Sequence, residues 1–336
     1  MIKIAIDAMG GDNAPEVIVK GVQLALKKHN NIEYQLYGDE QEIAKYLTPH
    51  NNVKVIHTTE EITFDDSPVK AIRKKKDSSL VQAALAVKEG RADGLISAGN
   101  TGALLATGLL YIGRLKHVER PGLLTTMPSI YDDKETDFID LGATSDSKPE
   151  FLNNYAVLGS VYAQIIRGIK NPTVGLLNNG TEETKGSELT KAAYPLLQQN
   201  PYINFSGNFE ARDLLYGKAD VVVADGFTGN AVLKSTEGAA LAIIKLLKQN
   251  ILDGGIKAKI GALCLKPIFK KVAEKMDYTS HNGAILMGIK APLVKSHGSS
   301  KDTTILACIE QVKVMVEKNV ISEINKELDD IYATVE

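Results

Sequence analysis

An α/β fold with a mostly parallel sheet is what this chain predicts, on three observations. Short β-branched runs alternate with longer stretches of helical periodicity, the pattern of strand–helix–strand units. Five of those runs end in turns rich in Gly, Asn, Ser and Thr, each followed by a helical pattern. At 336 residues the chain suits one large or two intimately joined domains, and 1–336 is read as a single α/β domain.

The first unit has a strand over 3–7, a turn through Met9, Gly10, Gly11, Asp12, Asn13 and Ala14, and a helix to Lys28. Pro15 suits its first helical position, where a missing N–H is harmless. A second strand over 93–97 leads into Ala98, Gly99, Asn100, Thr101 and Gly102, then a small-residue helix to Ile112. A third over 173–177 opens the long polar turn 178–186, then a helix to about Gln199. The fourth, over 220–224, gives Asp225, Gly226, Phe227, Thr228, Gly229 and Asn230, then a long helix. The fifth, over 292–296, gives His297, Gly298, Ser299 and Ser300, then a helix from about Asp302. In open α/β sheets ligands bind beyond the carboxyl ends of the strands. Helix N-termini there offer N–H donors and a positive dipole, so converging turns predict a pocket for a phosphate-like anion.

Several classes are excluded. Thirty-nine Lys plus Arg against 41 Asp plus Glu leave a net charge of -2, which removes a global electrostatic case for nucleic acid. Cys264 and Cys308 stand alone, and the six histidines never fall at metal-ligand spacing, so no metal site is predicted. No GxGxxG follows the first strand and no GxxxxGK[ST] occurs, since in Lys185-Gly186-Ser187 the lysine and glycine are reversed. GxSxG is absent and neither cysteine lies in a glycine-rich turn, so a covalent acyl-enzyme has no evident nucleophile. The uncharged stretch 94–113 has the length of a membrane span, but Ser97, Gly99, Asn100 and Thr101 break its apolar surface early. Strand, turn and helix explain it better.

Six motifs stand in order: Asp7-Ala8-Met9-Gly10-Gly11-Asp12, Ser97-Ala98-Gly99-Asn100-Thr101-Gly102-Ala103 and Asp140-Leu141-Gly142-Ala143. After them come the Glu183/Lys185-Gly186 loop, Asp225-Gly226-Phe227-Thr228-Gly229-Asn230 and Lys295-Ser296-His297-Gly298-Ser299-Ser300. This ordered set resembles the bacterial phosphate acyltransferase family over essentially the whole chain. In the third loop Asn179 and Thr181 replace the family's usual Ile and first Glu. The resemblance implies a Rossmann-like three-layer α/β/α sandwich similar to phosphotransacetylases, a homodimer, and no organic cofactor. It implies transfer of a fatty acyl group from acyl-acyl-carrier-protein to inorganic phosphate. It also implies a cytoplasmic enzyme at the inner face of the cell membrane, feeding a membrane-bound glycerol-3-phosphate acyltransferase. A phosphotransacetylase-like or hydroxyacid-dehydrogenase-like enzyme, or a silent carrier or membrane scaffold, are the alternatives.

Phosphate is itself a nucleophile at neutral pH, so positioning and electrostatics can carry the reaction. On this reading Gly99, Asn100, Thr101 and Gly102 hold phosphate, with Gly10, Gly11, Gly226, Gly229, Gly298 and Ser299 shaping the site. Lys185 neutralises phosphate or the oxyanion, Asn230 donates to the oxyanion, and His297 contacts phosphate or protonates the leaving sulfur. Asp7 and Asp225 orient donors, although each is equally a plain turn or cap residue.

Two surfaces escape the neutral total. Residues 251–276 read as a protruding amphipathic helical hairpin broken at Pro267, with Ile260, Leu263, Leu265, Ile268 and Phe269 beside Lys266 and Lys270. It would dock on a membrane or a carrier protein, or pack on the body or across a dimer. Arg73, Lys74, Lys75 and Lys76 form a basic run, read as a solvated helix end with carrier docking by Arg73 and Lys75 as the alternative.

Overall fold

Alternation along the first strand sets the layering. In β1 (Ile2–Asp7) the side chains of Ile4 and Ile6 enter one apolar layer and Ala5 the other, the period-two consequence of a pleated strand. The computed structural model of the chain describes residues 1–131, 134–276 and 283–333.

The further strands are β2 (Ile32–Gly38), β3 (Val53–His57), β4 (Gly94–Ser97), β5 (Gly122–Pro128) and β6 (Glu135–Ile139). They continue as β7 (Thr173–Asn178), β8 (Asn204–Glu210), β9 (Val221–Val223), β10 (Ala284–Met287) and β11 (Leu293–Lys295). The helices are α1 (Glu16–Lys28), α2 (Glu40–Ala44), α3 (Pro68–Lys74), α4 (Ser79–Lys88), α5 (Thr101–Thr107) and α6 (Pro149–Arg167). Then follow α7 (Glu188–Gln199), α8 (Gly226–Asp253), α9 (Gly255–Met276), α10 (Asp302–Glu317) and α11 (Val320–Ala333).

One 11-stranded sheet has the order β3-β2-β1-β4-β11-β10-β5-β6-β9-β7-β8. On one face α1, α6, α7, α10 and α11 bury Val22, Tyr155, Leu197, Ile309 and Leu328 against it. On the other, α3, α4, α5 and the first turns of α8 contribute Ile72, Val81, Leu104 and Leu233. That is the expected α/β/α sandwich. The sheet is parallel within β3-β2-β1-β4-β11 and within β6-β9-β7-β8. Three antiparallel pairings, β11–β10, β10–β5 and β5–β6, join the two blocks. An odd number of reversals leaves the second block running opposite to the first.

That reversal corrects the expectation of five turns on one edge. The turns after β1, β4 and β11 lie at one edge, and those after β7 and β9 at the other. Local pattern finds each strand end but carries no information on which way a distant strand is laid down.

The hairpin is longer than expected and turns elsewhere. The break at Pro267 is absent: α9 runs unbroken through it, and the chain reverses at Gly254 and Gly255, where Gly255 has φ +70°. Proline removes one intrahelical bond but restricts mainly the residue before it, whereas the paired glycines accept the reversal without strain. Along α8 residues 241–250 are all exposed. The stretch 94–113 forms β4, α5 and a π-type turn, and no helix among the described residues is long and apolar enough to cross a membrane.

Candidate active site

Three turns of the first block are bound into one cluster by polar contacts. The Asp7 carboxylate, 3% exposed, accepts from the hydroxyls of Ser79 and Ser97 at 2.6 Å each. Ser97 Oγ in turn accepts the Gly99 N–H at 3.0 Å, so Asp7 shapes the second turn through a serine. Burial raises the Asp7 pKa, and bonds from Ser79, Ser97 and the Met9 and Gly10 amides oppose the rise. The Asp12 N–H donates to the Gly298 carbonyl at 2.8 Å and the Ser296 N–H to the Ser97 carbonyl at 2.9 Å, tying in the third turn. Gly10 permits the approach, since a Cβ there would stand 2.8 Å from the Gly99 nitrogen.

Several expected ligand groups are used internally. Asn100 caps α5 by accepting from the Ala103 N–H at 3.0 Å, and its amide donates to the carbonyls of Thr63 and Phe64 at 3.2 Å. Its side chain is a clamp on the 63–66 loop, which leaves the turn's backbone N–H groups and the Thr101 hydroxyl as the expected phosphate donors. Asp225 caps α8 by accepting from the Thr228 N–H at 2.9 Å, so Asn230 is not the cap residue. Gly102 packs on Pro68, and Gly11 against Ala98 and the Gly298 carbonyl. Gly226 and Gly229 let α8 press on the end of β6: a Cβ at Gly229 would overlap the Asp140 carbonyl oxygen. These glycines shape the site by packing. Gly298 lies beside Phe64 and Asp12, again a packing contact.

Asp140 is the pivot of that junction and was not a sequence candidate. Fully buried, it accepts from the amides of Leu123, Gly142, Ala143 and Thr144 at 2.8–3.0 Å. Burial pushes its pKa up to about 6 against the pull of those four amides. The turn it organises touches Asn230 through Gly142.

A pocket of about 210 Å³ opens on the sheet face where the two blocks meet. Its floor is Leu123 and Thr125 of β5, Ala284 of β10 and Lys295 of β11; Thr101, Leu141 and His297 border it. From α8 come Asn230, Leu233, Lys234 and Glu237. The residue types are those of a small anion site beside an apolar wall. His297 Nδ1 lies 2.8 Å from Ser299 Oγ and accepts the Ser299 N–H at 3.3 Å. Neutral His297 therefore carries its hydrogen on Nε2, and Ser299 serves the ring rather than the pocket. A larger cleft, about 960 Å³, lies at the amino ends of β6, β7 and β9. There Arg167 is bound to Asp137 and Asp220, a charge network satisfied from within.

Of the predicted catalytic trio, the pocket unites Asn230 and His297, with Thr101 from the phosphate set. Lys185 does not line it: it is exposed on the β7–α7 loop, at the edge opposite the His297 turn. Lys295 was missed as a site residue although its motif was noted. Its only sequence signal was a lysine ending a buried run before His-Gly-Ser. In the basic run, Lys75 pairs with Asp66 at 2.6 Å and donates to the Glu61 carbonyl, so its charge is already engaged within the chain. Arg73 and Lys74 stay exposed.

A family model described as "Fatty acid synthesis protein" matches residues 2–323. A phosphate acyltransferase of Enterococcus faecalis is 57% identical over 324 residues, 96% of this chain and 97% of that protein. One from Streptococcus uberis is 57% identical over 326 residues, 97% of each. Among solved structures, a Streptococcus pyogenes phosphotransacetylase matches with TM-score 0.62 at 17% identity, covering 96% of this chain and 94% of that one. A branched-chain phosphotransacylase of Enterococcus faecalis matches with TM-score 0.58 at 16% identity, covering 94% and 99%. These two structures share the fold.

Proposed function

The chain belongs to the phosphate acyltransferase family, and from that premise we propose that it transfers a fatty acyl group from acyl-acyl-carrier-protein to inorganic phosphate, releasing acyl phosphate. The observation that carries the reading is the seam pocket, where an amide, an imidazole and two lysines meet an apolar wall and neither cysteine is present. That composition suits direct attack by phosphate better than an acyl-enzyme.

A phosphate oxygen attacks the thioester carbonyl, the C–S bond breaks, and the hydrogen of HPO₄²⁻ ends on the carrier sulfur. Asn230 donates its amide to the developing oxyanion, with Lys185 as the cation proposed to act on the same charge. His297, whose Nε2 carries the hydrogen, is proposed to hydrogen-bond phosphate or the leaving sulfur while the phosphate hydrogen moves to that sulfur. Thr101 and its turn position phosphate beside Leu123 and Leu141, which border the acyl end. No cofactor or metal takes part in this scheme.

The test is phosphate-dependent release of carrier thiol, with the acyl phosphate trapped by hydroxylamine. Larger turnover with a coenzyme A thioester or with NAD would move the chain to the phosphotransacetylase-like or dehydrogenase-like reading. Carrier binding without trapped product would leave a scaffold.

The same proposal makes the α8–α9 hairpin a docking element of a homodimeric enzyme at the inner face of the cell membrane. There the product would pass to a membrane-bound glycerol-3-phosphate acyltransferase. Support comes from Ile256, Ile260, Leu263 and Ile268, all at least 56% exposed, interleaved with Lys257, Lys259, Lys266 and Lys270. An acidic carrier protein fits the same basic, apolar surface.

A further inference from the structure

The seam pocket contains two lysines, and their surroundings differ. Lys234 is ion-paired with Glu237 at 2.8 Å on the same helix, so its charge is already answered. Lys295 ends a strand whose neighbours Val294 and Ser296 are fully buried, and it lines the pocket floor. Its ammonium donates to the Ser296 carbonyl, and among the described residues no carboxylate lies within ion-pairing distance of it. The charged and titratable groups around it are Asp7 at the end of β1, Asp12 in the following turn, Lys234 on α8 and Cys308 on α10. Asp7 is saturated by two serines and two amides, Asp12 lies beside Gly298 and attracts the ammonium without an ion pair, and the Cys308 thiol stays neutral because burial pushes it up to about 11. His297 and Glu237 complete the pocket's ionisable set.

A part-buried cation whose partner is a carbonyl is costly unless an anion arrives to pair with it. We propose that Lys295 is the phosphate-holding residue of the seam pocket, its ammonium bonded to the phosphate dianion that attacks the thioester. The inference rests on the acyl-transfer reading above and names the group that binds its nucleophile. Lys295 keeps its proton throughout the step; the carbonyl carbon gains the phosphate oxygen and loses sulfur, and the phosphate hydrogen passes to sulfur. Lys185 is left to the oxyanion, outside the phosphate subsite. Burial lowers the Lys295 pKa to about 8, so its charge is present at neutral pH and disappears on mild alkalinisation.

The experiment compares wild type, Lys295→Met, Lys295→Arg and Lys185→Ala in the thiol-release assay, varying inorganic phosphate and acyl-carrier-protein separately. Lys295→Met should raise the KM for phosphate by about 30-fold or more, the size expected for a lost charge-assisted bond, with the acyl-carrier KM within about twofold. Lys185→Ala should lower kcat and leave the phosphate KM near wild type. In wild type, kcat/KM for phosphate should fall above about pH 8 and the fall should vanish from this range in Lys295→Arg, whose guanidinium stays charged. If Lys295→Met does not fold, that pH comparison decides alone. An unchanged phosphate KM in folded Lys295→Met, or an identical alkaline limb in Lys295→Arg, overturns the assignment. Wild type that yields no phosphate-dependent acyl product would instead sink the acyl-transfer reading, a result independent of any Lys295 variant.

Discussion

The seam pocket and the α8–α9 hairpin share a helix but obey opposite rules. In its first turns α8 is pressed into the body: Gly226 and Gly229 are buried against Asp140, and Leu233 joins the core. Over residues 241–250 the same helix is exposed on every side, with Leu241 68% and Ile243 67% accessible. At ~1.5 Å per residue its 28 residues span ~42 Å, far more than the pocket needs. The first region spends its polar groups on one another and leaves a few aimed at a ligand. The second leaves apolar groups without a cover within the chain. One helix thus couples a rigid site to a surface whose natural complement is another molecule.

The sharpest way to test this division is to remove a group from the site that the fold does not use. Asn230→Ala should reduce kcat by about 10²–10³-fold, the usual cost of an oxyanion donor, with thermal unfolding unchanged because Asn230 is exposed and caps nothing. Equal losses of activity and stability would make Asn230 part of the scaffold.

The converse change is Gly229→Ala, at the residue just before Asn230. Its Cβ would overlap the Asp140 carbonyl, so α8 must shift, and about 3 kcal/mol of stability should be lost in chemical denaturation. A neutral result would show the junction to be loose.

Out on the hairpin the signs reverse. Leu263→Glu combined with Ile268→Glu should cut co-flotation with anionic vesicles by about 10-fold, through lost apolar burial and two added negative charges. Turnover of a soluble acyl-carrier substrate should change by less than about twofold if membrane is the partner, and fall with the flotation if carrier is. A double variant that floats like wild type removes the membrane from the proposal.

The smallest effect is expected at the basic run. Arg73→Glu should raise the acyl-carrier KM by about two- to threefold, more at low salt, as exposed charges act chiefly on encounter. No salt-sensitive change would leave Arg73 a solvated residue at the end of α3.

Much of the architecture was legible because it is written locally. The strands over 3–7 and 173–177 recur as Ile2–Asp7 and Thr173–Asn178, and Ser187 and Asp225 cap their helices as such residues do. Pro267 misled because a proline signal weighs a single residue, while the Gly254–Gly255 pair earlier in the chain offered the easier reversal. Asn100 and Asp7 were ambiguous in another way. Their types suit an anion site and suit internal bonding equally, and only the positions of Thr63, Phe64, Ser79 and Ser97 decide between them. Lys295 was passed over because a lysine side chain carries no mark of its own burial.

By itself the sequence determined the strand–turn–helix units, the two-sided burial of the sheet and membership of a family, since each depends on residue spacing or on motif order. The tertiary structure alone decided that the second block of strands runs against the first, that Asn230 meets His297 while Lys185 lies outside that pocket, and that Lys295 is largely buried. The reason is that strand pairing and desolvation arise between residues far apart in the chain. Ser97 beside Lys295 is a register, not a spacing, and it exists only once β4 and β11 have paired.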